Sequence, residues 1–172
     1  MEPRRLANIV ALFAVCALLG TLKASNEQTF GLYREKSYYF GDAFALNWFK
    51  AWDFCRSRGM FLLSIRNQPE LDAVVEYLEK NGVSKVTDHL QFWTSANDLG
   101  QEGQFYWAST GERMRFERWT ENEPNNAQQS ECRFENCVVV QRNLKVDLKI
   151  NYTFDDRTCD TPFLFMCETL YD

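Results

Sequence analysis

One part of the chain combines side chains that are suited to binding a metal ion. Glu123-Pro124-Asn125 places a carboxylate and an amide on either side of a proline, and Glu135 and the pair Asp155-Asp156 follow later. Carboxylate and amide oxygens are the hard ligands that Ca²⁺ prefers. A Glu-Pro bond in the cis form would turn the chain sharply, so that the flanking side chains face one ion. Glu-Pro-Asn-Asn is equally typical of an ordinary polar turn.

The residues before this part predict two amphipathic helices that would position it. Apolar residues recur at helical spacing over about 46–58, and Gly59 follows where a helix C-cap belongs. Asn67 is a predicted N-cap with Glu70 as its capping-box partner, and this second helix should stop at Asn81-Gly82. Short apolar stretches predict strands at 37–40, 61–65, 90–94, 103–107, 137–140 and 164–167.

A long polar segment separates two of these strands. Residues 110–134 are rich in Asn, Glu and Gln. Loops of that length are uncommon in compact domains and are usually functional. Because the metal candidates begin inside this segment, we predict an α+β domain with a metal-binding loop.

The N-terminal residues are typical of a secretory signal peptide. Arg4-Arg5 precede an apolar run over 6–22, and Lys23-Ala24-Ser25 follow. A signal anchor is the alternative, because the run is near the lower limit for a spanning helix. We predict a leader at 1–24 and a secreted domain at 25–172. Since residues 1–24 carry three basic side chains and one acidic, the remainder has a net charge of about -7, which argues against nucleic acid and membrane partners.

The cysteines indicate disulfides with one thiol left over. Cys16 lies in the predicted leader, and five cysteines remain at positions 55, 132, 137, 159 and 167. In a secreted chain these should pair, but their spacing leaves the connectivity open. A zinc site is disfavoured, because the chain has no Cys-x-x-Cys pair and His89 is its single histidine.

A series of motifs in a fixed order resembles the C-type lectin domain family. The motifs are Cys55; Phe92-Trp93-Thr94-Ser95; Asn97-Asp98-Leu99-Gly100; Glu102-Gly103; Phe105-Tyr106-Trp107; Trp119; Glu123-Pro124-Asn125; Glu135-Asn136-Cys137; Phe154-Asp155-Asp156; Cys159; and Phe165-Met166-Cys167-Glu168. The resemblance covers about 33–169, and the chain is similar to the single-domain lectins of insects. It implies a C-type lectin-like fold with two helices, small antiparallel sheets and long calcium-binding loops, and disulfides Cys55–Cys167 and Cys137–Cys159.

The resemblance also implies a calcium-dependent lectin rather than an enzyme. One Ca²⁺ would be held by five residues: Glu123, Asn125, Glu135, Asp155 and Asp156. Glu123, Asn125, Glu135 and Asp155 would also contact the sugar, and a Glu-Pro-Asn loop goes with mannose-class glycans. A role in innate immunity follows by analogy. The alternative is a C-type lectin-like module that binds protein surfaces, with weak or no sugar binding.

Position 155 departs from the family pattern, which usually has asparagine there. An aspartate still binds calcium, but as an ionised acceptor it cannot donate a hydrogen bond to a sugar hydroxyl. An unmet hydrogen bond of this kind costs about 1 to 3 kcal/mol. Asp155 by itself therefore predicts weakened sugar binding.

Other departures concern Cys132 and an auxiliary calcium position. Inserted residues bring in Cys132, which would form an interchain disulfide in a homo- or hetero-oligomer or remain unpaired. They also offer Glu131 as an alternative to Glu135. Asp98 and Glu102 have the spacing of an auxiliary calcium site, although the additional carboxylates that such sites often have are replaced by asparagines.

One predicted modification lies close to the proposed ligands. Asn151-Tyr152-Thr153 is a sequon for N-glycosylation. A glycan on Asn151 would shield the site.

Catalysis is disfavoured, because the sequence shows no catalytic partner for His89 and no nucleophile with a base.

Overall fold

The computed structural model describes residues 36–83, 89–143 and 152–170. These residues belong to a compact unit that spans Glu35–Asp172. The predicted leader at 1–24 and the predicted glycosylation site Asn151 lie outside the described residues. Within the described ranges, none of the helices has the length and apolar character needed to cross a bilayer.

The two predicted helices are confirmed. Helix α1 spans Trp48–Ser57 and helix α2 spans Gln68–Lys80. Asn67 caps α2 as predicted, because its side-chain oxygen accepts the backbone N–H of Glu70. The Glu70 carboxylate accepts hydrogen bonds from the Arg66 backbone N–H and guanidinium. It therefore binds Arg66, whereas the predicted capping box would have it accept the backbone N–H of Asn67.

The described strands form one connected sheet. They are β1 Tyr38–Leu46, β2 Phe61–Leu62, β3 His89–Asn97, β4 Tyr106–Trp107, β5 Cys137–Asn143, β6 Thr153–Arg157 and β7 Phe163–Glu168. The order is β1-β7-β3-β5-β6, with β2 paired to β7 and β4 paired to β3. All pairings are antiparallel except that of β3 with β7. Strand β6, which carries Asp155 and Asp156, was not among the predicted strands.

Side chains that alternate along the strands build one core on each side of the sheet. On β3, Phe92 joins the cluster that contains the buried face of α2, and Trp93 joins the cluster that contains the buried face of α1. On β5, Val138 and Val140 face the α2 side and Val139 the α1 side. A period of two residues places successive side chains on opposite faces of a strand. The central strands are therefore buried on both faces, which gives the site a rigid base.

Both expected disulfides are confirmed. Cys55 in α1 is bonded to Cys167 in β7, and Cys137 at the start of β5 is bonded to Cys159 just after β6. The second bridge therefore links the start of β5, which follows the long polar segment, to the end of the strand that carries Asp155 and Asp156. Cys132 is a free thiol, and it is exposed.

Candidate functional site

The long polar segment is attached to the outer strand β6 by main-chain hydrogen bonds. The Phe154 N–H donates to the Arg118 carbonyl over 2.8 Å, and the Thr120 N–H donates to the Phe154 carbonyl over 2.9 Å. Trp119 packs against Phe105 and Phe154 at this point, with ring centroids 4.9 and 6.1 Å away. These contacts bring the loop that follows Thr120 next to the acidic pair of β6.

Asp156 holds the loop itself. Its side chain is fully buried, and its two oxygens accept the backbone N–H groups of Asn125 (3.0 Å, to Oδ1) and Asn126 (2.9 Å, to Oδ2). The peptide bond between Glu123 and Pro124 is cis, as the sequence suggested. The loop also has Asn122 and Asn126 at positive φ, of 69° and 48°. The hydrogen bonds to Asp156 therefore fix the backbone of a loop that has no helix or strand of its own.

Three of the predicted ligands come together. Carboxylate oxygens of Glu123, Asp155 and Asp156 lie within 4.8 Å of one another. Glu135 lies beside this group, because the Arg157 guanidinium is 2.5 Å from Asp155 Oδ2 and 3.6 Å from Glu135 Oε1. Asn125 is on the same loop and is exposed. The alternative ligand Glu131 is exposed, whereas Glu135 is buried.

Several buried oxygens of this group have no hydrogen-bond partner among the described residues. They are Glu123 Oε2, Glu135 Oε2 and Asp155 Oδ1. A buried carboxylate oxygen that has lost water and gained no donor is costly, so native structures almost always satisfy it. Oxygens of neighbouring carboxylates left free in this way are the ligand set of a hard divalent cation such as Ca²⁺. The residues present therefore fit the ion that the sequence suggested.

The electrostatics of these carboxylates agree with this interpretation. Burial, together with the charge of Asp155, raises the pKa of Glu123 to about 7. Burial raises the pKa of Asp155 to about 6, although Arg157 opposes the shift. Burial also raises the pKa of Glu135. Without a cation the ionised carboxylates thus repel one another. A bound cation would stabilise their ionised forms and lower their pKa values.

Arg157 is a residue of the site that the motifs did not identify. Its guanidinium bonds Asp155 over 2.5 Å, and its Nη1 donates to the Asp156 carbonyl over 3.3 Å. Residues 155 and 157 share a face of β6 because side chains two apart in a strand point the same way. The two-residue spacing of Asp155 and Arg157 could have indicated this in the sequence, but only if residues 153–157 had been predicted as a strand.

The predicted auxiliary residues lie outside the three-carboxylate group. Asp98 is buried, and its Oδ2 accepts the Gly103 N–H over 2.8 Å. Its Oδ1 has no partner in the described part of the chain. Burial raises the pKa of Asp98 to about 6, with the charges of Glu102 and Asp156 adding to the shift. Glu102 is exposed, and an auxiliary ion at this position remains a prediction.

Comparison with known proteins extends over most of the chain. Residues 45–169 match the model of the Lectin C-type domain family. The chain is 34% identical over 113 residues to "C-type lectin mosGCTL-7" of Aedes aegypti, covering 66% of this chain and 69% of the relative. The carbohydrate-recognition domain of the mouse scavenger receptor C-type lectin has the same fold, with a TM-score of 0.61, 21% identity and coverage of 81% of this chain and 94% of that domain. The carbohydrate-recognition domain of cow CD23 is 26% identical with a TM-score of 0.59, covering 81% of this chain and 92% of that one.

Proposed function

Because this chain belongs to the C-type lectin domain family, a family of non-enzymatic binding modules for carbohydrates, we propose that it is a secreted calcium-dependent lectin for glycans of the mannose class. The observation that carries this proposal is the set of buried carboxylate oxygens on Glu123, Glu135 and Asp155 that have no partner among the described residues. A calcium ion would satisfy them together, with Asp156 and Asn125 completing the ligand set.

Four of the five proposed ligands would also have a part in binding the sugar: Glu123, Asn125, Glu135 and Asp155. As the resemblance implies, a calcium ion held by these residues would keep two places for neighbouring hydroxyl groups of a sugar. Glu123 and Glu135 would accept hydrogen bonds from these hydroxyls, and the exposed amide of Asn125 would donate one. The backbone N–H groups of Asn125 and Asn126 are already taken by Asp156, which holds the loop in position before the sugar arrives.

The order of donor and acceptor around the ion supports the mannose class. Glu123 and Asn125 supply an acceptor and a donor in the order that the resemblance associates with mannose-type sugars. The cow CD23 domain is a relative whose structure was determined in the presence of GlcNAc2Man3 oligosaccharide, which contains mannose. That this chain also prefers sugars of the mannose class is part of our proposal.

Clustering of several sites would raise a weak single-site affinity. Cys132 is exposed and free, on the segment between Pro124 and Glu135. An interchain disulfide there would link two sites and raise their effective concentration. The Kupffer cell receptor Clec4f, which shares this fold, is trimeric. Non-reducing electrophoresis of the wild type and Cys132→Ser tests this part: the proposal requires a covalent oligomer that the variant lacks.

Two further parts of the proposal extend the same site. Asp98 and Glu102 would hold an auxiliary calcium ion, which calorimetric stoichiometry would reveal as a second equivalent that Asp98→Asn removes. Secretion and binding of a glycan by a member of this family are compatible with a role in innate immunity.

Retention of the purified protein on mannose and galactose resins tests the main proposal. We expect retention on mannose in calcium and release by a chelator. A Glu123→Gln/Asn125→Asp variant exchanges acceptor and donor, and it should shift the preference toward galactose. Binding of calcium without retention on either resin would instead favour the alternative, a module that binds a protein surface.

A further inference from the structure

The side chain at position 155 is not an isolated carboxylate. Arg157 Nη2 donates to Asp155 Oδ2 over 2.5 Å, while Asp155 Oδ1 is buried and has no partner in the described ranges. The two oxygens therefore differ: Oδ2 is bound to a cation of the chain itself, whereas Oδ1 has no partner among the described residues.

We propose that Asp155 and Arg157 act as one unit in place of the asparagine expected at position 155. The free oxygen of Asp155 supplies the calcium ligand, as an amide oxygen would. The guanidinium of Arg157 supplies the hydrogen-bond donor to the glycan hydroxyl, as the amide nitrogen would. This inference rests on the proposed lectin function and revises the weakened sugar contact that Asp155 alone predicts.

The position of the guanidinium suits this role. It lies between the carboxylates of Asp155 and Glu135, with Nη1 3.6 Å from Glu135 Oε1. The side chains of Asp155 and Glu135 are only 1% and 3% exposed, whereas that of Arg157 is 28% exposed. Of these three groups, Arg157 is therefore the one that a ligand arriving from solvent meets first.

Arg157 also has donors to spare. Its guanidinium bonds Asp155 and the Asp156 carbonyl, and a guanidinium has more N–H groups than these two bonds use. Its main chain is fixed by pairing with β5, where its carbonyl accepts the Asn136 N–H over 3.2 Å. A donor on a rigid strand costs less conformational entropy when it binds than one on a loop.

The charge of the pair completes the argument. An aspartate in place of asparagine adds one negative charge to a site that already contains Glu123, Glu135 and Asp156. The guanidinium cancels that charge at hydrogen-bond distance, so the pair is neutral, as an amide is. Asp155→Asn alone should therefore weaken calcium binding more than the two changes together, because it would leave the guanidinium beside the bound ion without its partner.

A double-mutant cycle tests the unit with two separate measurements. Arg157→Gln, Asp155→Asn and the combined variant are compared with the wild type by calcium calorimetry and by affinity for free mannose. Arg133→Gln is the control, since it removes another Arg–Asp pair, that with Asp160, outside the ligand set.

We expect Arg157→Gln to bind calcium within about threefold of the wild type and to lose about tenfold in mannose affinity, which corresponds to one hydrogen bond. Asp155→Asn should weaken calcium binding by about tenfold. In the combined variant, which has an asparagine without a neighbouring cation, both affinities should return to within about threefold of the wild type.

The outcomes separate this inference from the proposed function. If the wild type binds mannose and Arg157→Gln binds it equally well, or if the calcium effects of the two substitutions simply add, the inference is wrong while the lectin function stands. If the wild type binds calcium but no glycan, the proposed function fails and the donor role of Arg157 fails with it. The calcium cycle then still decides whether the two residues form one unit.

Discussion

Replacing Glu123 with glutamine should have opposite effects on stability in the absence and in the presence of calcium. The substitution keeps the shape of the side chain and removes its charge. In the calcium-free fold the raised pKa of Glu123 shows that its ionised form is unfavourable at neutral pH, because of burial and the neighbouring Asp155. Glu123 is partly exposed, so solvent screening reduces the effect, and we expect the variant to gain about 1 kcal/mol or less.

With calcium present the sign should reverse. Loss of a carboxylate ligand should weaken calcium binding by about 100-fold, since outer-shell changes alone cost about 10- to 100-fold. At a calcium concentration of about 100 times the wild-type Kd, binding stabilises the wild type by about 2.7 kcal/mol. The variant would then be half saturated and gain only about 0.4 kcal/mol. The wild type should therefore be more stable in calcium, and Glu123→Gln more stable in a chelator.

Thermal unfolding at about pH 7.5, in calcium and in a chelator, measures both effects. For a domain of this size about 1 kcal/mol corresponds to a Tm shift of roughly 3 °C. Glu121→Gln is the matched control, because Glu121 is exposed on the same loop and lies outside the three-carboxylate group. A variant that is destabilised in the chelator, or that keeps the full calcium-induced shift, would refute the reasoning.

Four other predictions concern pH and the scaffold. The pKa of Glu123 is raised in the fold, so protonated Glu123 contributes stability that is fully present below about pH 4.5 and is lost as the pH rises through about 7. Without calcium, the free energy of unfolding should therefore decrease over that interval. Calcium binding expels the protons that the site holds, so calcium affinity should increase over the same interval, and calorimetry that finds it constant would contradict this. Replacing Cys55 and Cys167 with serine opens a loop with a sequence separation of 112 and should cost about 4.8 kcal/mol in denaturant unfolding; a loss below about 1 kcal/mol would show that the bridge does not restrict the unfolded chain. Gly41→Ala would place a Cβ 2.6 Å from Cε1 of the Phe165 ring and should cost about 1 to 3 kcal/mol; an unchanged Tm would mean that the ring moves freely.

The local patterns of the sequence were sufficient for the helices and for most of the strands. Asn67 marks the start of α2 because its side chain bonds a backbone group only three residues away, and such short-range bonds leave a readable signal. The disulfides were different: spacing left the pairing of five cysteines open, and only the resemblance to a family chose Cys55–Cys167 and Cys137–Cys159. The candidate calcium ligands were likewise identified by residue type and motif order.

Tertiary structure decided how those ligands are held. Asp156 bonds the backbone of Asn125 and Asn126, which precede it by 31 and 30 residues, and no local pattern encodes a contact over that distance. Strand β6 was missed because its center is two aspartates, which are poor strand formers that only pairing with β5 makes extended. Once β6 is a strand, its two-residue period places Arg157 on the same face as Asp155. The sequence determined which oxygens are available for a cation, and the sheet register decided which of them remain free and which are bound by the chain itself.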